Sequence, residues 1–383
     1  MTEVKAGLLP QGFYDELPPH AAHESRLIRH FARHFAAYGY DAVNPPLAEF
    51  ADTLAFGLPS LAAADMLRIA DPRSQQMMAI RSDMTGQVAR IATSRLAAAP
   101  RPLRLAYAGT ILKAHASELR PARQLRQAGV ELIGNSGVAA TAEVVDLALG
   151  GLAALDVAGV TVDFSLPGFA GLWAEAHDWS AQTQQALARV LDAKDSAGVG
   201  QFPEGSQAAL RTIIASAGPI DHARKMIETL ELPGTVLARW HVIVHVAERL
   251  AELRPDVEIT IDLGESRDFS YQTDVAFSFY ARASAVRLGR GGAYRIGGNG
   301  ERRGEPAVGF TLYLDGVSEA APMREPAPRI WLPFGTSPQQ AETLRETGWV
   351  TLSALAEDET ALDARRQGCT HILDSGVPTP LDD

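Results

Sequence analysis

Hydrophobic positions recur at helical spacing over residues 20–38, where Leu27, Ile28, Phe31, Phe35 and Tyr38 fall on one face and Gly39 closes the run. Helices are predicted in the same way over 85–96 and over 141–149, the second stopping at Gly150–Gly151. Elsewhere the pattern has a period of two. Residues 103–112 and 124–133 read as two strands joined by a polar, Arg-containing loop, a hairpin. Further strands are read at 76–80, 159–165, 257–263, 288–295 and 306–314, and in the alternation of Val275, Phe277 and Phe279. Adjacent strands without intervening helices indicate an antiparallel sheet. Residues 167–253 are helix-rich with Gly and Pro breaks, an insertion between strands. The segment 319–328 (EAAPMREPAP) reads as a linker, and 329–383 as a β-α-β-α-β unit. The fold class is α+β: an antiparallel sheet flanked by helices over 1–318, with a helical insertion and a small C-terminal α/β unit.

Composition narrows the function classes. The 383 residues are 46% hydrophobic and 21% charged, enough for a sizeable core. A single cysteine, Cys369, permits no internal disulfide, and no apolar signal core or spanning segment is evident, so a cytoplasmic location without membrane contact is expected. The net charge of −11 weighs against a chain that grips a large RNA.

Several polar residues stand where chemistry is possible. Asp83 and Thr85, in RSDMT between a strand and a helix, suit a helix cap; Asp83 also suits a ligand ammonium. Gln127 and Glu131 face the same side of one strand, either as a solvent-facing edge or, with Asp83, as an acidic pocket floor. Arg267 suits a ligand carboxylate or a neighbouring acid, and Tyr271 a core aromatic. The GRGGAY run at 289–294 lacks the spacing and following helix of a dinucleotide fingerprint, so its glycines are read as sites of close backbone approach. The pairs His30/His34 and His241/His245 lack a third ligand; the first reads as a solvated helix face and the second as partly buried. No metal and no cofactor is expected.

The order of these segments is more specific than any one of them. The opening helix with its NPP segment, RSDMTGQVAR, the hairpin ending RQLRQAGVELIG, RDFSYQTDVAFSFYA, GRGGAY and PAVGFTLYLDG resemble, in sequence, the motifs of class II histidyl-tRNA synthetases over roughly residues 8–317. The resemblance implies that fold and a histidine pocket made of Asp83, Thr85, Gln127, Glu131, Arg267 and Tyr271. Departures fall on the phosphate side. Lys113 stands where the family's motif 2 has an arginine on the α-phosphate, and Gly316 where motif 3 has one on the γ-phosphate. Lysine lacks the planar fork, and glycine lacks the charge. Gln272 replaces a tyrosine and Ser278 an acid of the recognition signature, and the C-terminal unit is short for an anticodon-binding domain.

This profile resembles the regulatory subunits of ATP phosphoribosyltransferase, paralogues of the synthetases. The resemblance implies a non-catalytic homodimer that joins the short catalytic subunit in a hetero-octamer, activates it, and conveys feedback inhibition by L-histidine in the first step of histidine biosynthesis. An authentic histidyl-tRNA synthetase and a stand-alone amino-acid-binding paralogue are the rival readings. Histidine bound at the subunit interface, rather than in this pocket, also stays open.

Overall fold

The structure, a computed structural model, describes residues 7–57, 66–116, 121–265, 272, 274–282, 286–297 and 304–381. The chain divides into two compact units, Met1–Pro322 and Met323–Asp383. In chain order the first opens with α1 (His20–Ala37), β1 (Asp41–Ala42), β2 (Ala48–Phe50), α2 (Ala51–Gly57), β3 (Arg68–Ala70), β4 (Met77–Ile80) and α3 (Thr85–Thr93). The hairpin β5 (Leu103–Leu112) and β6 (Gln124–Ile133), α4 (Val138–Ala153) and β7 (Val160–Ser165) follow. Next come α5 (Phe169–Ala176), α6 (Ala181–Asp192), α7 (Glu204–Ala215), β8 (Gly218–Pro219), α8 (Ile220–Ile227) and α9 (Gly234–Leu253). The unit closes with β9 (Glu258–Asp262), β10 (Ala276–Ala281), β11 (Arg287–Ile296), β12 (Glu305–Tyr313) and α10 (Leu314–Ala320). Glu319 and Ala320, assigned from sequence to the linker, complete this last helix.

Nine strands form the main sheet in the order β1-β5-β6-β12-β11-β10-β7-β9-β8. Its centre is antiparallel, as expected, whereas β7 and β9 pair in parallel. Parallel neighbours require a crossover, and the helices α5 to α9 supply it. The insertion is therefore the connection between two neighbouring parallel strands near the β8 edge of the sheet.

The two faces of this sheet differ in chemistry, because strand residues alternate sides. Ala128, Val130 and Leu132 on β6, Val308, Phe310 and Leu312 on β12, Phe277 and Phe279 on β10, and Val162 and Phe164 on β7 all belong to one buried cluster. That cluster also takes Leu27, Phe31 and Phe35 of α1, Val144 and Ala148 of α4, and Trp240 and Ile243 of α9. Each large apolar side chain so buried contributes roughly 1.5–3 kcal/mol. The opposite face carries the polar and small residues. There Met84, Val88 and Ala92 from α3 and its entry pack over Leu105 and Tyr107 of β5 and wall off one end.

Helix α4 runs through Gly150 and Gly151 rather than stopping there. A Cβ at Gly151 would lie 2.9 Å from Phe31 Cε1, so these glycines allow close approach to α1 and do not break the helix. The histidines of α1 complete the contact: His30 Nε2 donates to the Gly151 carbonyl and His34 Nε2 to the Leu147 carbonyl, each at 2.9 Å. The Gly151 carbonyl lies in the last turn of α4, where the helix supplies no partner, and the Leu147 carbonyl one turn earlier gains a second donor. His241 and His245 are exposed on α9, not partly buried, since the apolar stripe Trp240–Ile243–Val244–Ala247 turns the other way. Among the described residues no group of three or more His, Cys, Asp or Glu is placed to hold a metal, and no helix is long and apolar enough to cross a membrane.

The second unit contains β13 (Arg329–Leu332), α11 (Pro338–Glu346), β14 (Val350–Ser353), α12 (Ala361–Arg366), β15 (His371–Asp374) and β16 (Val377–Pro380), with sheet order β14-β13-β15-β16. The fourth strand, absent from the sequence reading, pairs antiparallel with β15 through Ser375 and Gly376, both at positive φ. That is the geometry of a tight hairpin turn, and the Ser-Gly dipeptide was its signal.

Helix propensity favours alanine over glycine at Gly151 by about 1 kcal/mol. Overpacking against Phe31 reverses this, and Gly151→Ala is expected to lower urea-unfolding stability by about 1 kcal/mol or more.

Candidate functional site

The strand register builds the site. Directly opposed residues of neighbouring strands share a face, and Leu105, Glu131, Gly309, Gly292, Ala276 and Ser165 form one row across β5, β6, β12, β11, β10 and β7. Three glycines in adjacent strands leave room for side chains to lie flat on this face. Tyr107 crosses Gly129, where a Cβ would come 2.5 Å from its hydroxyl. The Glu131 carboxyl lies over Gly309, 1.8 Å from where a Cβ would stand, and Gln272 lies over Gly292, with Cγ 2.8 Å from that position.

Four of the six residues expected from sequence come together here. Asp83 Oδ1 accepts from the Thr85 backbone N–H at 2.8 Å, the helix-entry role read from sequence, while Oδ2 accepts from Gln127 Nε2 at 3.0 Å. Gln127 Oε1 in turn accepts from the Met84 N–H at 3.3 Å. Gln127 and Glu131 are 2% and 1% exposed, so the solvent-facing alternative does not hold. Arg267 and Tyr271 lie outside the described residues.

Glu131 is held by groups that sequence reasoning did not single out. The Tyr294 hydroxyl donates to Oε2 at 2.6 Å, and the Tyr107 hydroxyl reaches Oε1 at 3.4 Å. Tyr107 also shares a 2.7 Å hydrogen bond with Thr311 and a 3.3 Å contact with the Thr85 hydroxyl. Burial pushes the Glu131 carboxyl up to about 8; the hydrogen bonds from Tyr294, Thr85 and Tyr107 oppose the shift and the nearby Asp83 charge adds to it. At neutral pH this carboxyl is mostly protonated. A cation placed against it would draw the proton off, so the floor suits an ammonium or a protonated ring. The signal for Tyr107 and Tyr294 was their alternation in step with the strand glycines Gly129 and Gly292.

The opposite end of the strands is packed differently. Lys113 follows β5 and its backbone is tied to Arg123: the Lys113 N–H donates to the Arg123 carbonyl at 2.8 Å, and Arg123 Nε donates back to the Lys113 carbonyl at 3.0 Å. Gly316, in the first turn of α10, is buried against β11. A Cβ there would stand 2.9 Å from Val286 Cγ1 and 3.2 Å from the Arg287 carbonyl oxygen. Any side chain at this position would meet Val286 and the strand backbone at its first carbon, so an arginine here requires these neighbours to shift.

A family model for histidyl-tRNA synthetase matches residues 12–317. Over 371 residues, 96% of this chain and 95% of the relative, the sequence is 42% identical to the ATP phosphoribosyltransferase regulatory subunit of Rhodospirillum centenum. The chain belongs to this family of synthetase-like regulatory subunits. A Bacillus halodurans structure described as an ATP phosphoribosyltransferase regulatory subunit/histidyl-tRNA synthetase shares the fold, with a TM-score of 0.81 at 21% identity over 97% of this chain and 99% of that one. A chain of the ATP phosphoribosyl transferase (HisG:HisZ) complex from Thermotoga maritima does so at a TM-score of 0.60 and 18% identity, over 76% of this chain and 98% of that one. Within this regulatory-subunit family, the present chain combines a connected Asp83–Gln127–Glu131 floor with a glycine packed tight at position 316.

Glu131 also sets a pH dependence. Its folded-state value lies above the ordinary 4.5, so between about 4.5 and about 8 the folded state holds a proton that the unfolded state has released, and stability falls as pH rises. Urea titrations from pH 5 to pH 8 are expected to show wild-type stability falling relative to Glu131→Gln, at up to ~1.4 kcal/mol per pH unit.

Proposed function

We propose that this chain is a non-catalytic, cytoplasmic regulatory subunit of ATP phosphoribosyltransferase, which activates the short catalytic subunit and conveys feedback inhibition by histidine. One observation carries this reading: in a chain related end to end to such a regulatory subunit, Asp83, Thr85, Gln127 and Glu131 come together on one face of the sheet, while a side chain at position 316 would meet Val286 and the Arg287 carbonyl at its first carbon. In this reading Asp83 meets the ligand ammonium, Gln127 and Glu131 meet ammonium or ring nitrogens, Thr85 and Tyr271 complete the pocket, and Arg267 meets the carboxylate. Homodimers assemble with catalytic dimers into a hetero-octamer. Feedback requires histidine to bind the active and inhibited assemblies with different affinity. The net charge of −11 favours a protein partner over tRNA.

Three measurements test this. Purified protein is expected to give no histidine-dependent ATP–pyrophosphate exchange, and to raise the turnover of a short-form catalytic subunit with which it co-purifies; robust exchange, or no complex at micromolar concentration, overturns the assignment. Calorimetry with Arg267→Ala is expected to show histidine affinity reduced by roughly 2 kcal/mol, the worth of a charge-assisted contact to a carboxylate. Unchanged affinity would place the histidine site elsewhere.

A further inference from the structure

A recess of about 470 Å³ opens between α5 and α6 in the helical insertion, walled by Pro167, Gly171, Leu172, Glu175, Trp179 and Gln184 among others. The buried side of α5 is formed by Phe169, Ala170, Trp173 and Ala174, while Gly171, Leu172 and Glu175 line the recess. A side chain at Gly171 would start 3.0 Å from Gln184 Nε2, so the glycine gives that amide its place on the wall. Trp179 is held from behind. Phe202 lies nearly parallel to its indole, with ring centroids 5.5 Å apart and planes 8° apart, and the Trp179 backbone N–H donates to the Ala174 carbonyl at 2.8 Å.

The chemistry of the wall is one-sided. No Lys, Arg or His lines the recess. The Glu175 carboxylate and the Gln184 side-chain amide make no hydrogen bond or ion pair with any described residue, and both residues are exposed. Glu175 also stands in the last turn of α5, a turn with no basic residue. A helix C-terminus carries a partial negative charge, so an acid is misplaced there and a cation is favoured. His177, at the C-cap, stacks on Trp173 at 4.7 Å and donates Nδ1 to the Trp173 carbonyl at 2.8 Å. An indole, a free carboxylate, an amide oxygen and a helix C-terminus thus converge, and each attracts positive charge. We propose that this recess binds a guanidinium group, stacked on Trp179 and forked onto Glu175. A guanidinium fits better than an ammonium, because it offers a flat face to the indole and paired N–H groups to the carboxylate. The volume lies in the range of about 300–1,000 Å³ typical of ligand sites, enough for the group and its stem. An arginine side chain of a partner protein and a free guanidino compound present the same chemistry. The site does not depend on the histidine reading above.

The test titrates the full-length protein, followed by tryptophan fluorescence, with N-acetyl-L-arginine amide and with its neutral isostere N-acetyl-L-citrulline amide. The arginine compound is expected to give a saturable change and the citrulline compound to bind at least tenfold more weakly. Glu175→Gln, at an exposed position, is expected to lower affinity for the arginine compound about tenfold and to leave that for the citrulline compound unchanged. Its melting temperature without ligand is expected to be unchanged or raised, since the acid leaves the helix end. Trp179→Phe is expected to remove most of the fluorescence response. Equal binding of the two compounds, no saturation at millimolar concentration, wild-type affinity in Glu175→Gln, or a response that survives Trp179→Phe would overturn the proposal. Two further ligands separate the sources. Tighter binding of acetyl-Gly-Arg-Gly amide than of agmatine assigns the site to a side chain of a partner protein, and the reverse assigns it to a free small molecule.

Discussion

The structure is arranged around one buried carboxyl. Glu131 sits in the middle of a nine-stranded sheet at 1% exposure, and burying such a group is costly unless it is neutral or hydrogen-bonded. Both remedies are present. Desolvation keeps its proton on near neutral pH, and two phenols point at its oxygens. Neither phenol would reach it on an ordinary pleated surface. Gly129 lets Tyr107 lie across β6, and Gly309 leaves the space that the carboxyl occupies. Strand-interior glycines are destabilising by themselves, so the apolar face must hold the sheet together for both. The aromatic and aliphatic layer of Phe164, Phe277, Phe279 and Phe310, packed beneath α1, α4 and α9, does so.

Much of this was legible in the sequence. The hairpin strands 103–112 and 124–133 coincide with the observed β5 and β6, because their alternation is long and uninterrupted. Asp83, Thr85, Gln127 and Glu131 were found because they share faces or turns that local spacing fixes. What local spacing could not supply was contact between distant segments. Gly150 and Gly151 look like a stop until α1 is placed against them. Tyr107 and Tyr294 meet the Glu131 carboxyl only once their strands are put in register. Gln272 read as a substitution within a signature; its unpaired amide is visible only once Gly292 lies beneath it. The last strand, Val377–Pro380, was hidden by its prolines, which sit at a sheet edge where a missing N–H is tolerated.

The two ends of the site have separate histories in the packing. Around Asp83, Gln127 and Glu131 the polar groups are tied to one another, so a single loss would strand a buried partner. At the phosphate end Gly316 has been absorbed into the contact between α10 and β11, where space once filled is not easily reopened.

The register of that sheet also orders events in time. Gln127 and Glu131 lie on a hairpin whose strands are close in sequence, while Gly292 and Gly309 on the neighbouring strands emerge from the ribosome more than 150 residues later. Synthesis runs from the N-terminus, and long-range strand pairing is the slow part of folding. The polar face around Glu131 is not assembled on the nascent chain until β11 and β12 have docked. The hydrogen bond from Tyr294 to the Glu131 carboxyl is likewise a late event, because its donor arrives with β11.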